Sequence, residues 1–184
     1  MFRANDGHLQ MPLLSSLSAL PRKVLQRLKD SWAGTFYREV FVRIPEAVFA
    51  VLYSDEPSRP NIPVNVFVGL ETLKAGYGWS DMELYDHYCF DAQVRYALGY
   101  RDLSGGYFDL RTLYNFRQRL TKHRQETGEN LIDVAFEQIT DEQLEAYQLK
   151  TDQQRVDSTM IASNIREMTR VQLLVEVLQR VHRM

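Results

Sequence analysis

The stretch Asp109-Leu110-Arg111-Thr112-Leu113-Tyr114-Asn115-Phe116-Arg117-Gln118-Arg119-Leu120-Thr121-Lys122-His123-Arg124 sets the character of the chain. Leu110, Leu113, Phe116 and Leu120 recur every three or four residues, which makes one side of a helix apolar. Asp109 stands where an N-cap carboxylate accepts from the first free amides. The remaining positions include Arg111, Arg117, Arg119, Lys122 and Arg124, with no acidic residue between Leu110 and Gln125. At about 100° per residue Arg117 and Lys122 fall on different sides, so these cations form a broad surface rather than one narrow stripe. Tyr114 borders that surface. Two readings fit it. One is a solvated helix face; the other is a phosphate-contacting or recognition helix, because arginine makes bidentate contacts to phosphate and guanine.

Working back from Asp109, the glycines Gly105-Gly106 and Gly99 break the chain, and a helical run covers Gln93 to Leu98. Ser80-Asp81-Met82-Glu83 reads as a capping box for a helix carrying Met82, Leu84, Tyr85 and Tyr88. That helix, a glycine-containing connection and the helix after Asp109 suggest an elaborated helix-turn-helix-like unit. Val64, Phe67, Val68, Leu73 and Tyr77 mark another helix, ended by Gly76 and Gly78. Before it, Pro57, Pro60 and Pro63 make residues 55–63 a connection. Pro45 fits the first turn of a helix through Tyr53, and Phe36 to Ile44 is a further apolar segment. Ser18 is the expected cap of a helix from Pro21 to Trp32, with Val24, Leu25 and Leu28 on one face and Arg22, Lys23, Arg27 and Lys29 around it. Residues 1–17 read as a loose leader.

Working forward, Gly128 separates the basic helix from one over 129–139. Thr140-Asp141-Glu142-Gln143 reads as a second capping box, opening a helix to about Tyr147. No alternating strand pattern occurs before residue 150, so 1–149 reads as a helical domain. The pattern then changes. Lys150 to Ala162 is the best strand candidate, with β-branched Val156, Thr159 and Ile161. Within it Asp157 needs explaining: it is either at a strand end or exposed edge, or a carboxylate held rigidly to bind a metal ion. After Ser163 or Asn164 a helix is expected, with Val171, Leu174, Val175, Leu178 and Val181 on one face. That stripe is still running at Met184, which suggests a chain cut short and a surface prone to self-association.

Composition narrows the choices. The 184 residues include ten Tyr, nine Phe and two Trp, and 45% are hydrophobic, which suits a folded domain rather than a disordered one. The formal charge of −2 supplies no global attraction for polyanions, so any nucleic-acid contact has to come from a local patch. Cys89 is the only cysteine, which excludes an intramolecular disulfide and a cysteine-rich zinc site. His8, His87, His123 and His182 show no ligand spacing. Residues 1–10 lack the apolar core of a secretory signal, and no run approaches the roughly 18 apolar residues of a membrane span. A soluble cytoplasmic protein is expected.

Several segments, in order, resemble the DDE transposases of bacterial insertion sequences with an InsH-type amino-terminal domain. They are Trp79-Ser80-Asp81-Met82-Glu83-Leu84, Arg95-Tyr96-Ala97-Leu98-Gly99-Tyr100, Phe108 to Leu120 with its Phe-Arg-x-Arg-Leu ending, and Arg155-Val156-Asp157-Ser158-Thr159 followed by Ser163-Asn164-Ile165-Arg166. The resemblance covers about residues 40–184. It implies a mainly α chain: a helical domain over 1–149, then at 150–184 the first strand and a helix of an incomplete RNase H-like α/β domain. Asp157 would be the first catalytic carboxylate and a ligand of Mg²⁺ or Mn²⁺ in the complete enzyme. A further Asp and a Glu, which the family places downstream, do not appear here. The implied partners are double-stranded transposon-end DNA and either further copies of the chain or the full-length transposase.

Three functions follow as expectations. The first is a transposase amino-terminal region that binds DNA through Arg111, Arg117, Arg119, Lys122 and Arg124. The second is a non-catalytic regulator of transposition. The third, which the near-neutral charge favours, is a helical interaction module unconnected with DNA.

Overall fold

In a computed structural model the described residues are 2–9, 15–54, 56 and 61–148, and every regular element among them is helical. Seven α-helices follow in order: α1 (Arg22–Lys29), α2 (Trp32–Glu39), α3 (Val64–Tyr77), α4 (Asp81–Phe90), α5 (Ala92–Ala97), α6 (Leu110–Thr127) and α7 (Leu131–Ala146). A 3-10 helix over Glu46–Leu52 lies between α2 and α3. The strand expected over 150–162, the helix after it and Asp157 lie outside the described residues.

The centre is α3. Val64 to Leu70, with Thr72 and Leu73, are all buried, as expected of a helix that is apolar all round. On one side Phe67 stacks on Phe116 of α6, ring centroids 5.0 Å apart, and meets Phe108 edge-on at 5.1 Å. On another, Gly69 lets Leu98, Phe41 and Phe36 approach the α3 backbone. α5 packs chiefly against α2, α4 against α3 and α5, and both α6 and α7 against the 3-10 helix Glu46–Leu52.

Local signals place several boundaries. Ser80 Oγ accepts from the amide of Glu83 at 3.3 Å, and Glu83 returns a carboxylate to the amide of Ser80 at 2.8 Å. α3 ends at Gly78, and α6 ends at Gly128, whose φ of 77° suits a residue without Cβ.

Other expectations change. Pro21 to Trp32 is not one helix: α1 stops at Lys29, and Ser31 caps a separate α2. The corner is tight enough that a Cβ on Gly34 would fall 1.8 Å from the carbonyl oxygen of Lys29. Ser18 caps no α-helix; it completes a reciprocal cap with Ser15 on the 3-10 turn Ser16–Ala19. Thr140 opens no new helix. Its hydroxyl donates back to the Phe136 carbonyl inside α7, which stays continuous because Leu131, Ala135, Phe136 and Ile139 keep one buried face.

Residues 2–9 are not loose either. The Asn5 amide donates to Glu46 Oε1 at 2.7 Å, the Arg3 amide to Asn61 Oδ1 at 2.7 Å, and His8 stands edge-on to Phe41. The same Glu46 carboxylate accepts from the amides of Val64 and Asn65 through Oε2, so it caps α3, which has no cap of its own.

The helix-turn-helix expectation also needs revision. α5 and the loop 98–109 separate α4 from α6, and α4 packs mainly on α3 and α5. α4 and α6 are instead joined by the side chains of Asp81 and Arg117.

Candidate nucleic-acid interface

α6 is anchored at its start by Asp109, whose Oδ1 accepts from the Arg111 amide at 2.8 Å. Its inner face is Leu113 and Phe116, both buried, with Leu110 and Leu120 half-buried against the core. The outward side follows from helix geometry. At about 100° per residue, Arg111, Asn115, Gln118, Arg119 and Lys122 share an arc of roughly 100°, and Arg111 to Lys122 spans about 16 Å of axis. All five are exposed. Arg124 lies across the helix from this arc, exposed in the last turn.

The structure therefore brings together Arg111, Arg119 and Lys122 and separates them from Arg117 and Arg124. The side chains of Arg111 and Arg124 have no hydrogen-bond or ion-pair partner among the described residues. Lys122 meets Glu126 at 3.7 Å with both side chains well exposed, a contact too weak to hold it from another partner. Arg119 lies over the Tyr53 ring, 5.0 Å from its centroid.

Arg117 turns the other way. Nη1 and Nη2 donate to the two oxygens of Asp81, at 2.9 and 2.7 Å, and Nε donates to Glu71 at 2.7 Å. Lys74 adds a contact of 2.9 Å to Asp81. Hydrogen bonding from Arg117, helped by Lys74 and opposed by burial, holds the Asp81 carboxyl well below the usual carboxylate range. The same bonds push the Arg117 guanidinium up. This side chain ties α6 to α3 and α4, and its fork faces carboxylates rather than the exposed arc.

Two other arginines carry structure that spacing did not reveal. Arg95 is fully buried, with its guanidinium 4.1, 4.5 and 5.0 Å from the ring centroids of Tyr100, Tyr107 and Tyr88. Arg101 lies 4.0 Å from Tyr96 and 4.3 Å from Tyr37. The alternation Arg95-Tyr96, Tyr100-Arg101 and Tyr107 is the trace of these stacks in the sequence, and cation–π attraction explains it.

Among the described residues no group of three or more His, Cys, Asp or Glu is placed to hold a metal ion, and no helix is long and apolar enough to cross a membrane. The metal expectation rests on Asp157, outside those residues. Comparison with family models, with curated proteins and with solved structures returned no match.

Proposed function

We propose that this chain is the DNA-binding amino-terminal region of a DDE-type transposase, with the outward arc of α6 laid along duplex DNA. The observation that carries the reading is the exposed arc with Arg111, Arg119 and Lys122 on one side of a firmly capped helix. Three cations within about 16 Å suit phosphates, and the interleaved Asn115 and Gln118 amides suit base edges. Arg117 serves by positioning the helix, and Arg124 contributes only where DNA reaches the end of α6. The near-neutral chain then binds through a local patch. On this reading Asp157 is the first carboxylate of a divalent-metal site that two further carboxylates complete. Such an ion would supply charge stabilisation for DNA cleavage and strand transfer.

The test is fluorescence anisotropy with a labelled duplex carrying the terminal repeats of the encoding element, across a range of salt. Affinity should fall steeply with salt, and Arg111→Ala with Lys122→Ala should reduce the log–log slope by close to 2, about 0.9 for each lost phosphate contact. Salt-independent affinity, or a slope untouched by the double variant, rules the interface out.

One observation favours a second reading, a protein-contact module that also suits a regulator. Phe90 is 85% exposed and Met82 60%, two turns apart on α4, apolar area that contact with a partner would remove from water. Self-association that persists in high salt, with no DNA binding, would favour it.

A further inference from the structure

Beside the exposed arc of α6 runs a groove of about 790 Å³, between the helix and the segments 52–54 and 61–62. Its floor is apolar, made by Phe67, Phe108 and Phe116. Tyr53 and Tyr107 stand at its walls, Tyr107 47% exposed. The α6 side is polar: Thr112, Asn115 and Arg119 line it in successive turns, with the Asp109 cap at the far end from Arg119. The Asn115 side-chain carboxamide makes no hydrogen bond among the described residues, and the Arg119 guanidinium is steadied over Tyr53 at 5.0 Å.

Asn115 and Arg119 thus belong both to the groove and to the outward arc, so whatever lies along the arc passes the mouth of the groove. We infer that the groove takes one unstacked nucleotide of the bound DNA, its base between the tyrosine walls and its phosphate on Arg119. The chemistry fits part by part. An aromatic-walled slot accepts any base through its π face. A free carboxamide presents a donor and an acceptor side by side, the pattern a base edge matches. Arginine suits the phosphate as a two-pronged donor. An apolar small molecule would leave Asn115 and Arg119 without use, and an intact duplex cannot enter a slot of this size. The inference rests on the DNA-binding reading and adds to it a preference for DNA with a base out of the stack.

The experiment compares two labelled duplexes of identical sequence, one perfect and one with a single unpaired thymidine at its centre. Both are titrated against the full chain and against Thr112→Trp and Ser54→Trp, which fill the groove from opposite walls. Ser54 is exposed, so that variant keeps its fold even if the α6 variant does not. The full chain should bind the bulged duplex at least about tenfold tighter, in line with the stacking of one base on an aromatic wall. Both variants should lose that preference and keep the affinity for the perfect duplex. Equal affinity of the full chain for the two duplexes overturns the groove and leaves the DNA reading standing. A preference that survives both tryptophans also overturns the groove. Failure to bind either duplex overturns the inference and the DNA reading together.

Discussion

The guanidinium of Arg117 grips both carboxylate oxygens of Asp81, 36 residues away, with Nη1 to Oδ2 at 2.9 Å and Nη2 to Oδ1 at 2.7 Å. Because Nε also reaches Glu71, one side chain of α6 fastens it to α3 and α4 together. Forked arginine–carboxylate pairs are the strong kind of surface contact, and this one is only 27–29% exposed.

Arg117→Ala should therefore lower stability by about 1–2 kcal/mol, since it takes from Glu71 its arginine partner and leaves Asp81 to Lys74 alone. Arg111→Ala, on the free arc, should change it by no more than about 0.5 kcal/mol. Urea denaturation of both variants measures the contrast. Equal losses would mean that Arg117 is no clamp.

Acid should weaken this clamp in a defined window. The folded Asp81 carboxyl titrates below its unfolded value of about 3.9, so its contribution is complete above that pH. It is lost as pH falls from there towards the depressed folded value. Glu46 has the opposite sign: burial pushes it up, so its contribution is fullest below about 4.3 and fades as pH rises through its folded value. Asp81→Asn separates the two. Its stability deficit against the unaltered chain should be constant from about pH 5 to 7 and shrink below about pH 4. A deficit that stays level into strong acid would disprove the linkage.

Glu46 accepts three backbone amides, from Asn5, Val64 and Asn65, and so joins the amino-terminal strap to the start of α3. Glu46→Gln turns one acceptor oxygen into a donor that faces an amide. A loss of about 1–3 kcal/mol follows from leaving a buried group unsatisfied. Hydrogen exchange should show the Asn5 amide opening fastest. Unchanged protection at Asn5 would contradict this role.

Arg95 lies in a cage of tyrosines and, among the described residues, has no ion-pair partner and no hydrogen-bond partner for its Nε and Nη1. Nη2 donates to the carbonyls of Gly105 and Asp102, which holds the loop before α6 in place. Arg95→Ala should cost about 3–5 kcal/mol, as for a large side chain removed from a core. Arg95→Met, which fills similar space without a buried charge, should recover more than half of that. Thermal melts of the two variants decide the point; equal losses would place the energy in the cation rather than in packing.

Much of the helical plan was legible in the residues themselves. Ser80 with Glu83, Asp109 ahead of Leu110, and the glycines at 78 and 128 act within three or four positions, so spacing alone reveals them. The inner face of α6 was readable for the same reason, because Leu113 and Phe116 repeat at the helical period. Thr140 shows the limit. Its capping box is a valid local signal, but the buried face of α7 runs straight through it, and packing outweighs a cap of about 1 kcal/mol.

Which cations on α6 are free was beyond the sequence. Arg111 and Arg117 are the same residue type on the same helix. Only the fold sets Asp81 and Glu71 opposite one of them and leaves the other facing outward. The strap at residues 2–9 and the groove beside Asn115 were hidden for that reason too. Each joins residues far apart along the chain, and no local rule of period or capping registers a contact that exists only after the helices have packed. Helix positions and inner faces follow from forces acting over one or two turns; the partners of charged side chains, and hence which cations are left exposed, follow from the packed arrangement of the helices.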